Sequence, residues 1–445
     1  MLKKENLHFY QKSVMELAKK APNLGLFLPP GMGKTTTALS IIAESPKGKT
    51  LVVAPKRVAE SVWAQEAEKW EHLSHLKVIK VMGSPATRLA ALKSKSDVYV
   101  VNLENLVWLL EQGGSYDYLI IDESSRFKDP STKRFKAIKK HLKTFKRRLI
   151  LTGTPTPQGT ADLWAQVGIL DLGTRLETSI TKFRAKYMFA GQRNRHTGVV
   201  YKWELNDGAS DVIMGKIRDI CVSMKAEDYL QLPKLTSLYH KIYVSPEFSN
   251  LYATFKKTMV LDLKDEQITA PTAATLVGKL LQLTSGAIYG EDGSWVGVHE
   301  AKVEFLQELL ESASHPTIVF YHFKHSLVRL QEAFPEAQVL SDDNMQDWRD
   351  GKIKILLAHP MSGGIGLNLQ CNVGEMAQEV WFDLPWSSEN YIQANARVYR
   401  QGQTKPVVIH HLTVADSIDE RVVDVLEGKI NLQDALMNEL KFNSK

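Results

Sequence analysis

The chain has 445 residues, of which 44% are hydrophobic and 24% charged, and its formal net charge is +6. This length predicts roughly two to four domains with sizeable cores, and the composition excludes a disordered or fibrous chain. The two cysteines are too few for a disulfide scaffold and lack the paired spacing of a zinc site. Because neither a signal-like N-terminus nor a long apolar run occurs, we expect a cytoplasmic protein with no membrane partner.

The charge is unevenly distributed. Residues 301–445 hold 13 basic and 20 acidic side chains, whereas residues 1–300 hold 43 and 30. The densest basic stretch runs from Arg126 to Arg148, with 11 basic residues and one acidic residue in 23 positions. Such a stretch suits a polyanionic partner, although a solvated helix face has the same pattern.

Short apolar runs alternate with amphipathic stretches between residues 20 and 152, and again from residue 301 onward. The runs are LGLFL, TLVVA, DVYVV, YLIID and RRLILTG in the first block, and TIVFY, KILLA, EVWFD and VVIHHL in the second. This alternation is typical of parallel strands buried on both faces, with crossover helices between them. The sequence therefore predicts an α/β fold with two lobes, each a parallel sheet flanked by helices.

The residues between the two blocks lose this rhythm and indicate a mainly helical and irregular insertion with a linker. We therefore predict a first lobe over residues 1–165, the insertion over residues 166–300, and a second lobe with C-terminal helices over residues 301–445.

The segment LGLFLPPGMGKTTTALSII predicts a strand, a glycine loop and a helix opened by Gly33, Lys34 and Thr35. Backbone N–H groups at a helix N-terminus and a lysine ammonium can hold the β- and γ-phosphates of a nucleotide, and a threonine hydroxyl can bind Mg²⁺. The match to the phosphate-loop pattern is incomplete, because Leu28 occupies the place of its first glycine. An incidental glycine turn is the alternative.

A second segment, YDYLIIDESSRF, ends an apolar run on Asp122 and Glu123. A carboxylate at the end of a strand beside a phosphate loop can hold Mg²⁺, and its neighbour can accept a proton from an attacking water. On its own the segment fits an acidic turn equally well, and only its pairing with the phosphate loop favours a catalytic role.

A third segment, QANARVYRQGQ, has a helical pattern in which Arg397 and Arg400 are expected to share one face. Two such guanidinium groups can neutralise charge on a γ-phosphoryl group. Taken alone, surface arginines at this spacing are more often solvated.

Together these segments make the chain similar to the Swi/Snf-type ATPases of helicase superfamily two along nearly its whole length. The resemblance is carried by ordered motifs: FYQ, GMGKT, LVVAPKRVAESVWAQEAEKW, DESS, LTGTP, TIVFYHFKHSL, SGGIGLNLQ, QANARVYRQGQ and KPVVIHHLTVADSIDERV. It implies two RecA-like lobes that hydrolyse ATP, with Mg²⁺, in the cleft between them and that move along DNA, usually double-stranded.

The resemblance also implies roles for individual residues. The nucleotide-binding set is Gln11 for adenine, with Gly31, Gly33, Lys34, Thr35, Thr36, Gly364 and Gly366. The catalytic set is Lys34, Asp122, Glu123, Gln393, Arg397 and Arg400, with Thr35 and Asp122 binding Mg²⁺ partly through water. Thr152 and Thr154 of LTGTP would couple the ATP site to DNA.

Some positions depart from the family pattern. Ser125 stands where many members have histidine, and Ala396 stands where an aspartate is common. Together with the short chain, these variants resemble compact bacteriophage or prophage members of the family. This implies a phage or host replication or repair protein in a bacterial or infected-host cytoplasm.

The predicted insertion contains a further basic and aromatic stretch. Residues 182–204 hold six basic residues and one acidic residue, interleaved with aromatic residues. Lys182, Arg184, Arg193 and Arg195 are therefore candidate nucleic-acid contacts. The alternative is a small aromatic core under a solvated hairpin.

The sequence thus predicts an ATP-dependent double-stranded-DNA translocase or remodelling ATPase. Two alternatives stay open: a strand-unwinding or branch-migrating helicase, and a nucleotide-gated DNA-binding protein with little turnover.

Overall fold

The computed structural model describes residues 1–157, 159–191, 200, 203–224, 226–263, 266–269, 273–313, 315–361 and 367–428. These residues form two compact units, one within Met1–Gln231 and one within Leu232–Gly363 and Leu367–Lys445. None of the helices described has both the length and the apolar character needed to cross a membrane.

The first unit contains a parallel seven-stranded sheet. Its strands and those of a small antiparallel hairpin are β1 (Asn23–Phe27), β2 (Thr50–Ala54), β3 (Val78–Lys80), β4 (Val98–Asn102), β5 (Tyr118–Asp122), β6 (Arg147–Thr152), β7 (Met188–Ala190), β8 (Trp203–Leu205) and β9 (Cys221–Ser223). The sheet order is β3-β4-β2-β5-β6-β1-β9, and β7 pairs with β8 in the hairpin.

Helices connect the strands of this sheet. They are α1 (Phe9–Lys20), α2 (Lys34–Ala43), α3 (Trp63–Lys69), α4 (Pro85–Lys93), α5 (Leu106–Glu111), α6 (Lys133–His141), α7 (Leu163–Asp171), α8 (Ile180–Tyr187) and α9 (Ala209–Ile217). Every residue of β2, β4 and β5 is buried, as expected for strands covered on both faces.

The second unit has a parallel six-stranded sheet and two small hairpins. Its strands are β10 (Leu235–Ile242), β11 (Val260–Leu263), β12 (Glu266–Thr269), β13 (Ala287–Tyr289), β14 (Trp295–Gly297), β15 (Thr317–Phe320), β16 (Gln338–Val339), β17 (Ile355–Ala358), β18 (Ala377–Trp381) and β19 (Val407–Val414). The sheet order is β10-β19-β18-β15-β17-β16.

The helices of this unit are α10 (Pro246–Thr258), α11 (Ala273–Thr284), α12 (Ala301–Glu311), α13 (Lys324–Ala333), α14 (Met345–Arg349), α15 (Ser388–Asn395) and α16 (Ile418–Leu426). Alternate residues of the central strand β15 enter different apolar clusters: Ile318 and Phe320 one, Val319 the other. The sheet is therefore buried on both faces, and the predicted fold class of two parallel sheets flanked by helices is confirmed.

The segment predicted as an insertion, residues 166–300, is shared between the units. Strand β9 extends the first sheet beside β1, and strand β10 extends the second sheet beside β19. The border between the units lies between Gln231 and Leu232, away from the proposed limits at residues 165 and 300. The physical reason is that β9 and β10 are short or partly exposed edge strands, which give little hydrophobic periodicity.

Candidate active site

The glycine loop joins strand β1 to helix α2, as the sequence predicts. Gly31 and Gly33 have φ angles of 86° and 67°, a left-handed conformation that favours glycine, and α2 begins at Lys34. The Lys34 ammonium donates to the carbonyl oxygen of Leu28 over 2.8 Å, which folds the side chain back over the loop. Thr35, in the first turn of α2, is half-buried. Since the first N–H groups of a helix lack intrahelical acceptors, this turn suits an anionic phosphate.

Gln11 of helix α1 lies against this loop. Its Nε2 donates to Oγ1 of Thr37 at 3.2 Å and to the carbonyl oxygen of Gly33 at 3.4 Å, and its Oε1 accepts from the backbone N–H of His8 at 2.9 Å. A Cβ on Gly33 would lie 2.5 Å from Nε2 of Gln11, so only glycine permits this approach. Gln11, for which the resemblance implies adenine recognition, therefore lies beside the phosphate loop.

Asp122 and Glu123 lie at the carboxyl end of strand β5, as predicted. Both are buried, and the backbone N–H of Glu123 donates to Oδ1 of Asp122 at 3.1 Å. Burial raises the pKa of Asp122, and the positive charge of Lys34 opposes that shift. Glu123 has a left-handed backbone, with φ 54° and ψ 57°, which costs a non-glycine residue roughly 1–2 kcal/mol.

The LTGTP segment begins with the last two residues of strand β6, which lies between β5 and β1 in the sheet. Gly153 packs so closely on the glycine loop that a Cβ there would lie 2.8 Å from Cδ of Pro30. The backbone N–H of Thr154 donates to Oγ1 of Thr152 at 3.1 Å. The phosphate loop, the two acidic residues and LTGTP thus gather at the carboxyl ends of three adjacent parallel strands, where α/β proteins bind their ligands.

One predicted nucleotide-binding side chain is engaged elsewhere in the unit. The hydroxyl of Thr36 donates to Oε2 of Glu66, on helix α3, over 2.6 Å. Glu66 lies within the motif LVVAPKRVAESVWAQEAEKW but has no role assigned from the sequence, and the buried Gln166 of helix α7 lies outside the motifs. The sequence does contain a signal for Gln166, because it is a polar residue within the apolar helix sequence LWAQVGIL. A polar side chain that is buried in such a helix needs hydrogen-bond partners.

In the second unit, the prediction that Arg397 and Arg400 share one face of a helix is wrong. Helix α15 ends at Asn395, and both arginines lie in the turns that follow. Arg397 is buried, and its Nη2 donates to the carbonyl oxygen of Pro360 at 2.7 Å, whereas Arg400 is partly exposed. The two guanidinium groups therefore have different surroundings.

The physical reason is that the backbone tightens after Asn395: the N–H groups of Arg397 and Val398 donate to carbonyls three positions back, those of Ala394 and Asn395, at 3.0 and 3.1 Å. Leu369 and Gln370 then hold the turns that carry the arginines. The N–H of Leu369 donates to the Arg397 carbonyl at 3.0 Å, and Nε2 of Gln370 donates to the Val398 and Arg400 carbonyls at 3.3 and 3.1 Å. These bonds come from a segment almost 30 positions earlier in the chain. The local hydrophobic periodicity therefore could not predict them.

Two further polar side chains lie near these turns. The buried carboxyl of Glu379, on strand β18, has a pKa well above its ordinary value because of burial, and the charge of Arg397 opposes that shift. Gln393, on helix α15, is half-buried, and its Nε2 donates to Oε1 of Glu389 at 3.3 Å. The structure thus places Gln393 one turn before the arginines within the same unit.

The basic and aromatic stretch of the first unit is divided. Lys182 is exposed on helix α8, and the guanidinium carbon of Arg184 lies 5.2 Å from the ring centre of Trp203. Phe183 and Tyr187 are buried in the core of the unit, as the small-core alternative expects. Four predicted site residues lie outside the described residues: Arg193, Arg195, Gly364 and Gly366.

Comparisons with known proteins place these features in a family. A family model for the SNF2-related domain matches residues 10–285. Protein p41 of Acyrthosiphon pisum secondary endosymbiont phage 1 is 35% identical over 435 residues, which cover 92% of this chain and 93% of that protein.

Larger relatives are also similar. The SWI/SNF-related matrix-associated actin-dependent regulator of chromatin subfamily A-like protein 1 of Xenopus tropicalis is 25% identical over 435 residues, covering 93% of this chain and 43% of the relative. The chromatin structure-remodeling complex subunit snf21 of Schizosaccharomyces pombe is 23% identical, with 93% and 37% covered. The chain thus spans less than half the length of these two proteins.

A solved structure of the Sulfolobus solfataricus SWI2/SNF2 ATPase core in complex with dsDNA is 21% identical. It covers 98% of this chain and 95% of that chain, with a TM-score of 0.45.

Proposed function

The chain belongs to the SNF2-related family of ATPases, and on that premise we propose that it is an ATP-dependent double-stranded-DNA translocase. The observation that carries the proposal is that Lys34, Asp122 and Glu123 lie at the same edge of one parallel sheet, at the carboxyl ends of strands β1 and β5, which flank β6. A cation for phosphate, a carboxylate for a metal and a second carboxylate for a proton are the parts that phosphoryl transfer to water requires.

In this proposal, the first turn of α2 and Lys34 bind the β- and γ-phosphates, and Gln11 recognises adenine. Glu123, whose carboxylate is buried at the end of strand β5, accepts the proton of the attacking water. Arg397 and Arg400 contribute positive charge during hydrolysis, and Gln393 helps to orient the water. Thr36 supports the loop through Glu66, because its hydroxyl is already bonded there.

The residues present fit a magnesium ion. The Thr35 hydroxyl and the Asp122 carboxylate are oxygen donors of the kind that Mg²⁺ prefers. The ion would neutralise charge on the phosphates. Burial raises the pKa of Asp122, and a nearby positive charge, that of Lys34 or of a bound metal ion, opposes the rise.

We propose duplex DNA as the polymer on two grounds. The first is the names of the larger relatives, which describe chromatin remodelling. The second is the exposed basic face of helix α6, on which Lys133, Lys136, Lys139 and Lys140 point to solvent. Phosphate contacts carry no sequence information, so binding is expected to be sequence-independent and to weaken steeply with salt.

The test is a set of ATPase rates measured side by side with no nucleic acid, single strand, duplex, fork and RNA. Stimulation that is largest with duplex supports the proposal. Displacement of a third strand from a triplex without opening of a fork supports translocation, whereas fork opening would favour a helicase. Duplex binding that depends on nucleotide, without measurable phosphate release, would favour a nucleotide-gated binding protein.

A further inference from the structure

A fully buried side-chain bridge through Gln166 of helix α7 joins the turn after strand β5 to the segment after strand β6. The hydroxyl of Ser124 donates to Oε1 of Gln166 over 2.8 Å. Nε2 of Gln166 donates to the carbonyl oxygens of Pro155 at 2.6 Å and of Asp162 at 3.0 Å. Ser124 and Gln166 are both 0% exposed. Since solvent does not reach either side chain, any effect on catalysis must pass through other residues.

The partners of the Gln166 amide fix its orientation. Its two N–H groups face carbonyl oxygens and its oxygen faces a hydroxyl, so the hydrogen-bonding groups are matched. Turning the amide over would set its oxygen against the Pro155 and Asp162 carbonyls and would leave buried groups unsatisfied, which is costly. An amide side chain is therefore required at position 166, between the buried apolar residues Ala165 and Val167.

Each end of the bridge lies next to a residue with a proposed role. Ser124 directly follows Glu123, whose left-handed backbone persists only where the surroundings hold it. Pro155 ends the LTGTP segment, in which the N–H of Thr154 donates to Thr152. A movement of LTGTP would therefore be transmitted to the backbone that carries Glu123.

We propose that Gln166 is a positioning residue that holds the Glu123 carboxylate in its working orientation and ties that orientation to the LTGTP segment. Loss of the bridge lowers turnover rather than nucleotide binding, because the first turn of α2 and Lys34 are left in place. This inference rests on the proposed function, since it takes Glu123 as the base in ATP hydrolysis.

The experiment compares Gln166→Met, Ser124→Ala and the double variant with wild type. Methionine keeps the length of the side chain and removes the amide. The readouts are kcat and KM for ATP without nucleic acid and with duplex DNA, the Kd of a fluorescent ATP analogue, and the thermal unfolding midpoint. Tyr99→Phe is the matched control, because it removes a hydrogen bond to the Ser94 carbonyl, 2.8 Å long, from strand β4 at a distance from the site.

Gln166→Met is expected to lower kcat about tenfold while the Kd of the analogue changes less than about twofold. The double variant is expected to match Gln166→Met rather than the product of the single effects, because both changes break one bridge. Gln166→Glu is expected to lower kcat as well, because a carboxylate oxygen would then face the two carbonyl oxygens that now accept from the amide. Tyr99→Phe is expected to lower the unfolding midpoint and to leave kcat unchanged.

Unchanged kcat in folded Gln166→Met would overturn the proposal, and so would an equal loss of kcat in Tyr99→Phe. Additive losses in the double variant would also overturn it, because the two residues would then act separately. Failure of the proposed function can be told apart from failure of this inference. If duplex DNA fails to stimulate the wild type, translocation is rejected, while the rates without nucleic acid still decide the role of Gln166.

Discussion

The hydroxyl of Thr36 donates to the carboxylate of Glu66 over 2.6 Å, which ties the first turn of helix α2 to helix α3. Lys69 and the indole N–H of Trp70 also contact this carboxylate, both at 3.3 Å. Helix α2 begins with the proposed phosphate-binding turn. The Glu66 carboxylate thus braces that turn through the Thr36 hydroxyl.

Replacing Glu66 by alanine is expected to lower the free energy of unfolding by about 2 kcal/mol, because a hydrogen bond to a charged acceptor is lost and the buried Thr36 hydroxyl is left unsatisfied. Denaturant unfolding measures this loss. Glu68→Ala is the control on the same helix, because Glu68 is exposed, and it is expected to change stability by less than about 0.5 kcal/mol. Equal losses in both variants would contradict a specific brace.

Arg397 and Arg400 are expected to respond differently to alanine, because only Arg397 is buried and bonded to the Pro360 carbonyl. Arg397→Ala should lower both kcat and the unfolding midpoint. Arg400→Ala should lower kcat at least about tenfold with little change in the unfolding midpoint, since its proposed contribution is to the transition state.

The checks are steady-state ATPase rates, the Kd of a fluorescent ATP analogue and thermal unfolding for each variant. Arg421→Ala, on the partly exposed helix α16, controls for loss of a surface arginine. An Arg400→Ala protein that loses nucleotide affinity as strongly as kcat would point to ground-state recognition instead.

The exposed lysines of helix α6 are expected to contribute to the salt dependence of DNA binding. Lys133 begins the helix, where a positive charge opposes the helix dipole, and lysines three positions apart repel one another. Phe135 and Ile138 anchor the opposite face in the core. The chain thus keeps these charges on its surface at some cost in stability.

Lys136→Gln with Lys140→Gln should lower the slope of log Kd against log salt for duplex DNA by up to about 0.9 per lost phosphate contact. Lys93→Gln with Lys95→Gln removes the same charge from exposed positions at the end of helix α4 and is the control. DNA-free ATPase should stay unchanged in both. Identical slopes for the two double variants would show that the face of α6 only adds general positive charge.

Much of the fold could be predicted from local sequence. The runs TLVVA and YLIID coincide with strands β2 and β5, because strands buried on both faces must be continuously apolar. The glycine loop before Lys34 and the acidic pair at the end of YLIIDE can be recognised for a similar reason, since each depends on neighbouring residues in the chain.

The remaining features depend on partners distant in sequence. The turns after helix α15 are held by Gln370, which lies 30 positions before Arg400 and donates to its carbonyl oxygen. The Ser124–Gln166 bridge joins positions 42 apart, and β9 is only three residues long. Neither a hydrophobic period nor a motif records such pairings, so these details required the structure.

The most direct measurement is the rate of phosphate release by wild type and by Glu123→Gln, each with and without duplex DNA, together with the Kd of a fluorescent ATP analogue. Glutamine keeps the shape of the side chain and removes the base, so turnover should fall at least about 10²-fold while the Kd is retained. The wild type should be faster with duplex than without it. Undiminished turnover in Glu123→Gln would contradict the proposed chemistry, and a wild type indifferent to duplex would contradict the proposed motor.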